Sequence, residues 1–288
     1  MQGCFRPLSC LQSPGLLYTP NSPDPLGSAV IDRNGGPGLD VSIVIRAKNE
    51  ARDIGDTLTT VYSQAGAPEF EVIVVDSGST DRTLEIVEQF PAQLIQIPAE
   101  TFTYGRSLNI GIRAGSGDLV VSLSAHSNPT SDRWLANLIR PFQDPTVAAV
   151  YGRHVPRDNV TRLELFGMRL SGVTSLEPRR QVRDMMFSNA NGSFRRWLAL
   201  EHPFDERIPG AEDLAWADWI QRQGWVVCYE PTAPVYHSHG ESLGRLVRRM
   251  IKDQPTIWGL KLGMVGPRRQ SPALVGKPRS TPDPRRSF

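Results

Sequence analysis

The chain is poor in cysteine. Cys4, Cys10 and Cys228 are the only three among 288 residues, too few for a disulfide framework or a thiolate metal cluster. That usage suits a reducing, cytoplasmic setting. Charge of one sign is also missing. The 32 Lys and Arg against 30 Asp and Glu leave a formal +2, so no nucleic-acid partner is expected. Apolar runs are strand-length, well short of the ~20 residues that span a bilayer. No basic n-region leads into an apolar stretch at the N-terminus, which argues against a secretory signal. Neither a GxGxxG turn nor a phosphate loop with its lysine accompanies the first strand. One absence is more specific. The apolar run Leu119–Leu123 delivers Ser124-Ala125-His126, where paired aspartates are the usual cation ligands at a strand end.

What is present is core-forming material, 39% hydrophobic and 22% charged, enough for one compact domain or two small ones. Residues 1–40 are rich in Pro, Gly and Ser without periodicity. They read as a disordered leader, or as an extension from a misassigned start codon. Residues 41–240 carry the organised pattern. Residues 241–265 follow as a basic amphipathic helical segment, with Leu243, Leu246, Val247, Met250 and Ile251 at helical spacing and Arg245, Arg248, Arg249 and Lys252 between them. Such a helix either makes a peripheral membrane contact through 241–252 or packs against the main domain. Residues 266–288 are a Pro- and Arg-rich tail, expected to be disordered.

Within 41–240, strands are predicted over Val41–Arg46, Glu71–Val75, Leu94–Ile97 and Leu119–Leu123, with helices near 54–64, 82–89 and 106–114 between them. That alternation means βαβ units and a parallel sheet. Ligands of such sheets sit at the C-terminal strand ends. The rule selects three loops, RAKNEARD, DSGSTD and SAHSNP, and all three are polar. Alone, DSGSTD is equally well read as a turn and helix cap. Three polar clusters on one edge favour a site. Downstream, Val160–Arg183 reads as helical, TRLELFGMRL giving way to the basic EPRRQVRD, which is either a mobile loop or a solvated surface, and a helix is expected over Leu214–Gln223.

The segments VSIVIRAKNEARDIGDTL, FEVIVVDSGSTDRTLEI, FTYGRSLNIGIRAGSGDLVVSLSAH, NGSFRR and AEDLAWADWIQRQGW together resemble the family 2 glycosyltransferases of GT-A fold, specifically a rhamnosyltransferase-like subgroup. The resemblance runs from about Val41 to His239. It implies an α/β, Rossmann-like nucleotide-diphospho-sugar transferase fold, a mixed, mainly parallel sheet flanked by helices. It also implies a nucleotide-diphospho-sugar donor across the first two loops, with Arg46, Asn49, Glu50, Asp76 and Ser77 facing base and ribose. Many relatives have a second Asp where this chain has Ser77. Arg106 and Asn109 match a helix that approaches the donor. Arg106 then either pairs with the diphosphate or is a solvated surface cation.

Sugar transfer makes two demands. The leaving diphosphate gains charge as the C1–O bond breaks, and a divalent cation or fixed positive groups must meet it. The acceptor hydroxyl must lose a proton, which suits a carboxylate base. The family usually meets the first demand with Asp-x-Asp, and this chain has Ser124-Ala125-His126. The resemblance makes His126 the metal ligand, supported by His237 and His239, which lie two apart on an extended segment. Imidazole is a ligand Mn²⁺ accepts, whereas Mg²⁺ prefers oxygen. The expected cofactor is therefore a weakly held divalent cation, Mn²⁺ or Mg²⁺, with Ser124 near ribose or a metal-bound water. The alternative is a loop histidine bonded to backbone and no cation.

The second demand falls on Glu212-Asp213, matching the family's Glu-Asp motif, with Asp213 as general base. As first-turn residues, both acids also suit the positive end of the helix dipole. Asn191, Gly192 and Ser193 match an acceptor-side loop, with Arg195 and Arg196 after it as phosphate candidates. Trp216 and Trp219 are read as core, or as a sugar-stacking platform. The activity implied is inverting transfer to a hydroxyl of a glycan or lipid-linked saccharide. Two alternatives stand beside it, a non-catalytic nucleotide-sugar-binding member and another nucleotide-sugar enzyme such as a nucleotidyltransferase.

Overall fold

The β-branched stretch VSIVIRA, strand β2 (Val41–Ala47), is the strand on which the sheet is built. In the computed structural model, which describes residues 16–17, 40–238 and 243–261, β2 lies between β3 (Phe70–Asp76) and β5 (Leu119–Ser124), parallel to both. Strand β4 (Gln93–Gln96) continues the parallel run beyond β3, with β1 (Leu16–Leu17) outside it. The chain winds outward through β3 and β4, then returns to the other side of β2 with β5. The strand order therefore reverses beside β2. This is where an open α/β sheet forms a crevice.

Beyond β5 the sheet becomes mixed. Strand β9 (Asn191–Arg195) runs antiparallel to both β5 and β7 (Val147–Val155). Strand β10 (Val226–Tyr236) is parallel to β7 and carries two short antiparallel neighbours, β6 (Asn128–Pro129) and β8 (Arg179–Gln181). The C-terminal ends of β2, β3, β5, β7 and β10 thus share one edge, and β9 begins there.

Alternate side chains of the central strands enter two cores, because helices cover both faces. Ile43, Ile45, Val72, Val74, Val121 and Leu123 pack against α1 (Ile54–Tyr62), α2 (Thr83–Val87) and α4 (Trp134–Ile139). Val44, Ile73, Val75 and Val120 pack against α3 (Tyr104–Ala114), α6 (Arg196–Glu201) and α7 (Glu212–Arg222). The helix α5 (Arg162–Leu170) adds Met168 to this second core. A last helix, α8 (Leu243–Lys261), lies against α7. Among the described residues, no helix is long and apolar enough to cross a membrane.

Two expectations are corrected. The helix expected over Val160–Arg183 ends at Leu170, and Gly172 follows with φ +74°. The basic stretch after it contains β8, where Arg179 stacks 4.3 Å from the Tyr229 ring centre and donates to the Tyr151 hydroxyl. The segment expected as a small-residue loop, Asn191-Gly192-Ser193, is strand β9 in the sheet interior. Asn191 accepts from Trp134 Nε1 at 2.9 Å and donates to the Ala233 carbonyl at 2.9 Å, so its amide binds the sheet together. Arg195 and Arg196 leave at the opposite edge, donating to the backbone carbonyls of Val147, Phe142, Asp144 and Ile112. Most of 1–40, His239 and the tail 266–288 lie outside the described residues.

Close packing yields a test of this architecture. A Cβ at Gly152 in β7 would collide with the Ala233 carbonyl and the Asn191 amide, whereas one at Gly167 in α5 meets nothing within 4 Å. Gly152→Ala is expected to destabilise by roughly 1–3 kcal/mol through overpacking. Gly167→Ala is expected to stabilise by about 0.5–1 kcal/mol through helix propensity. Urea unfolding of the two variants checks both signs.

Candidate active site

The first two loops are joined to each other before any ligand arrives. Asn49 sits at φ 55°, in the left-handed region where Asn is tolerated. Its side-chain oxygen accepts from Thr80 N at 2.8 Å, and its own N–H donates to Ser79 Oγ at 2.8 Å. The Glu50 N–H donates to Thr83 Oγ1 at 2.8 Å. Asp76, buried at the end of β3, accepts from Gly78 N and Ser79 N at 2.9 Å each and from the Ser79 hydroxyl. The carboxylate of Asp76 is thus engaged in shaping the DSGS turn. Ser77 is different. Its hydroxyl is buried and has no hydrogen-bond partner, an orphaned polar group of the kind a bound molecule can satisfy.

A second cluster forms where β2 meets the first turn of α7. Arg46 Nη1 lies 3.3 Å from Glu212 Oε1 and donates to the Tyr104 carbonyl at 3.3 Å. Its guanidinium also sits 5.5 Å from the Tyr104 ring centre. Glu212 is buried, and it accepts from Asn189 Nδ2 at 3.3 Å. Asp213 accepts from the Asn189 and Leu214 backbone N–H groups at 3.2 and 2.9 Å. The preceding Ala211 takes φ 61°, a left-handed turn that starts the helix with both acids in its first turn. Protein packs closely around the Asp213 carboxyl, although the residue keeps a solvent-open edge. Burial, reinforced by the Glu212 charge, pushes its pKa up to about 7 against the lowering by its two backbone donors and Arg46. A carboxylate poised there can accept a proton at neutral pH.

A third cluster gathers histidines. His126 Nδ1 lies 3.0 Å from Glu50 Oε1, and Ser124 Oγ lies 3.2–3.3 Å from the same ring's nitrogens. His237, at the end of β10, stacks on His126 with ring centres 5.1 Å apart and planes 10° from parallel. His154 on β7 meets His237 edge-on at 4.8 Å, and its burial drives its pKa down to about 4. Lone pairs of imidazole lie in the ring plane, so parallel rings do not aim at one point. Among the described residues, no group of three or more His, Cys, Asp or Glu is placed to hold a metal ion. A cation held by the protein alone does not fit this set. A cation that brings diphosphate oxygens does, because imidazole and carboxylate are ligands that Mn²⁺ accepts.

Other predicted residues lie elsewhere. Asn109 is buried, donates to the Phe204 carbonyl and Glu206, and accepts from Phe204 N. Arg106 pairs with the same Glu206 at 3.4 Å. Both secure the loop leading to α7. Trp216 is core, wedged among Phe187, Phe194 and Phe204 with its N–H on the His202 carbonyl. Trp219 stacks on His202 at 3.6 Å.

Sequence reasoning missed two residues. Asn189 touches both carboxylates, yet it only opens the acceptor-side segment 189–200, whose match rests on Asn191, Gly192 and Ser193. Arg157 donates to Asp53 at 2.9 Å, to the His126 carbonyl at 2.7 Å and to Asn128, fixing the loop after β5. No local motif marks it, because its partners lie on two other segments, the loops after β2 and β5.

Together, the 3-2-1-4 winding of β4, β3, β2 and β5 and the polar clusters along their ends define an α/β nucleotide-sugar-transferase fold of GT-A type. A mannosyltransferase from Pyrobaculum calidifontis, solved with GDP-Man and Mn²⁺, superposes with TM-score 0.60 at 23% identity, over 77% of this chain and 65% of that one. Residues 42–196 match the Glycosyl transferase family 2 model, and the chain belongs to that family. The O-antigen chain rhamnosyltransferase RfbN of Salmonella typhimurium is 24% identical over 70% of this chain and 67% of its own. Glycosyltransferase AglE of Haloferax volcanii is 36% identical over 76% and 74%. The chain thus spans about two thirds of RfbN and three quarters of AglE. Its likeness to RfbN places it on the rhamnosyltransferase-like side of the family.

The carboxylate pair can be tested without any substrate. Carboxyl ¹³C NMR should show Asp213 titrating near 7, higher in Arg46→Gln and lower in Glu212→Gln. A raised acid pKa means that the folded state holds more protons between the ordinary Asp value and 7, so stability falls as pH rises through that window. Asp213→Asn removes this cost. Its melting temperature relative to wild type should be higher at pH 8 than at pH 5.

Proposed function

We propose that this chain transfers a sugar, with inversion, from a nucleotide-diphospho-sugar to a hydroxyl of a glycan or lipid-linked saccharide. The observation that carries the proposal is Asp213. It is a deep carboxylate with a pKa near 7, held by Asn189 and accompanied by Glu212. It stands on the edge where β2, β3 and β5 end. In this reading Asp213 takes the acceptor proton. The acceptor oxygen forms a bond to the sugar C1, the C1–O bond breaks, and its electron pair leaves with the nucleoside diphosphate. Inversion follows from a single displacement.

The base and ribose are assigned to the joined first and second loops, where the unpartnered Ser77 hydroxyl offers a hydrogen bond. Ser77 in place of an acid lowers the negative charge there. Glu50 and Arg157 hold His126 in position from opposite sides, through ring and backbone. His126 is the residue that would hold a divalent cation arriving with the donor, with His237 stacked behind it, and the cation would offset charge on the departing diphosphate. Residues 41–240 are proposed as the catalytic unit, with 241–252 as a peripheral membrane contact. Exposed Arg248 and Ile251 on α8 support that contact.

Calorimetric titration with UDP, GDP and dTDP, with and without Mn²⁺, tests the donor assignment. Binding of at least one nucleotide is expected, tightened by Mn²⁺ in wild type and less so in His126→Ala. No binding under any condition would overturn the proposal. Asp213→Asn should retain nucleotide affinity within about threefold and lose transfer by at least about 10²-fold, the scale of a lost general base. Undiminished transfer in that variant would remove Asp213 as the base.

A further inference from the structure

Helix α5 is inverted relative to an ordinary surface helix. Its inward side carries buried Glu164 and the core residue Met168. Its outward side carries Leu163, Phe166 and Leu170, which are 48%, 63% and 79% exposed. At spacings i, i+3 and i+7 these three form one stripe. Gly167 beside it leaves the stripe open. A surface helix normally places polar residues there. Two further apolar side chains, Leu176 and Val182, are 67% and 56% exposed in the segment after the helix.

Arginines border the stripe. Arg162 and Arg169, both exposed, lie four residues before and three after Phe166, together along one side of the stripe. Arg183 is exposed in the following segment, where Arg180 is paired with Asp144 at 2.7 Å. The acids nearby do not cancel this arrangement on the helix. Glu164 is turned inward; Asp158 is exposed in the turn before the helix, and Glu177 and Asp184 in the segment beyond it.

We propose that α5 seats on an anionic phospholipid bilayer, with Leu163, Phe166 and Leu170 in the acyl boundary and Arg162 and Arg169 among the headgroup phosphates. An apolar line flanked by long cationic side chains matches an interface whose apolar layer lies just beneath its negative charge. A second copy of the chain fits less well. An antiparallel isologous contact centred on Phe166 would bring Arg162 of one copy toward Arg169 of the other, like charge against like charge. Position supports the bilayer further. The helix rests on the same core as α7, through Met168 and Trp216, and α7 carries Asp213. Its preceding strand β7 ends at the site edge, where Arg157 reaches the His126 loop. The value of this contact for delivering a lipid-linked acceptor rests on the proposed function. The contact itself does not.

Flotation of the full chain with vesicles, in the absence of donor and acceptor, tests the proposal. Phosphatidylcholine vesicles containing phosphatidylglycerol should bind it, pure phosphatidylcholine should bind much less, and salt should weaken the difference. Phe166→Ser/Leu170→Ser and Arg162→Glu/Arg169→Glu should each cut partitioning by at least about tenfold. All four positions are exposed, so circular dichroism and nucleotide titration should match wild type. Nucleotide binding that survives alongside failed flotation would overturn the bilayer contact alone, whereas the reverse would overturn only the donor assignment. Wild-type partitioning in both α5 variants would overturn the proposal and leave α8 as the membrane contact. A dimer by light scattering that the Phe166→Ser/Leu170→Ser variant dissolves would assign the stripe to a second copy instead.

Discussion

The site depends on one ion pair, Arg46 with Glu212. Its partners are 166 positions apart, yet they join the end of the strand that starts the sheet to the first turn of α7. Arg46 provides a fixed positive charge between the end of β2 and the Glu212–Asp213 pair. Without it, Glu212 and Asp213 would face each other uncompensated in a low-dielectric pocket, a costly arrangement. With it, Glu212 is held as a neighbour whose charge helps to raise Asp213 while Arg46 limits the rise. The same guanidinium donates to the Tyr104 carbonyl, so the start of α3 is fixed by the contact that sets the acid pair.

The surrounding polar groups follow a consistent logic. Asn109 and Arg106 act through Phe204 and Glu206, securing the loop from which α7 departs. Asp76 and Asn49 spend their hydrogen bonds on two turns and on the link between them. That leaves an organised cleft, in which the Ser77 hydroxyl is a buried group still without a partner. On the far side, Glu50 and Arg157 hold His126 by ring and by carbonyl. Its stacking on His237 makes the histidine cluster a weak claimant for a metal of its own.

The first half of the fold was legible in the sequence for a physical reason. Its strands are short β-branched runs buried on both faces, separated by helices of readable period, and parallel pairing leaves few alternatives. The three polar loops followed from the rule that such sheets bind at their C-terminal ends. The second half was not legible in the same way. Asn191-Gly192-Ser193 looks like a loop because it is small and polar. It is a strand because β5 and β7 lie on either side of it and the Asn191 amide bonds to Trp134 and Ala233. EPRRQVRD looks like solvated surface, yet part of it pairs with β10 and stacks Arg179 on Tyr229.

The sequence by itself determined the alternation of elements, the three polar loops, the loss of a first aspartate at Ser124 and the presence of Glu212-Asp213. Each of these is written in neighbouring residues. Only the tertiary structure decided that Asn189, not Asn191, meets the acid pair, and that Arg46 holds Glu212. It also decided that Arg157 secures His126 and that burial beside Glu212 pushes the Asp213 carboxyl well above the usual carboxylate range. These depend on contacts between segments far apart in the chain and on how far water is kept from a charge. Neither quantity is carried by local pattern.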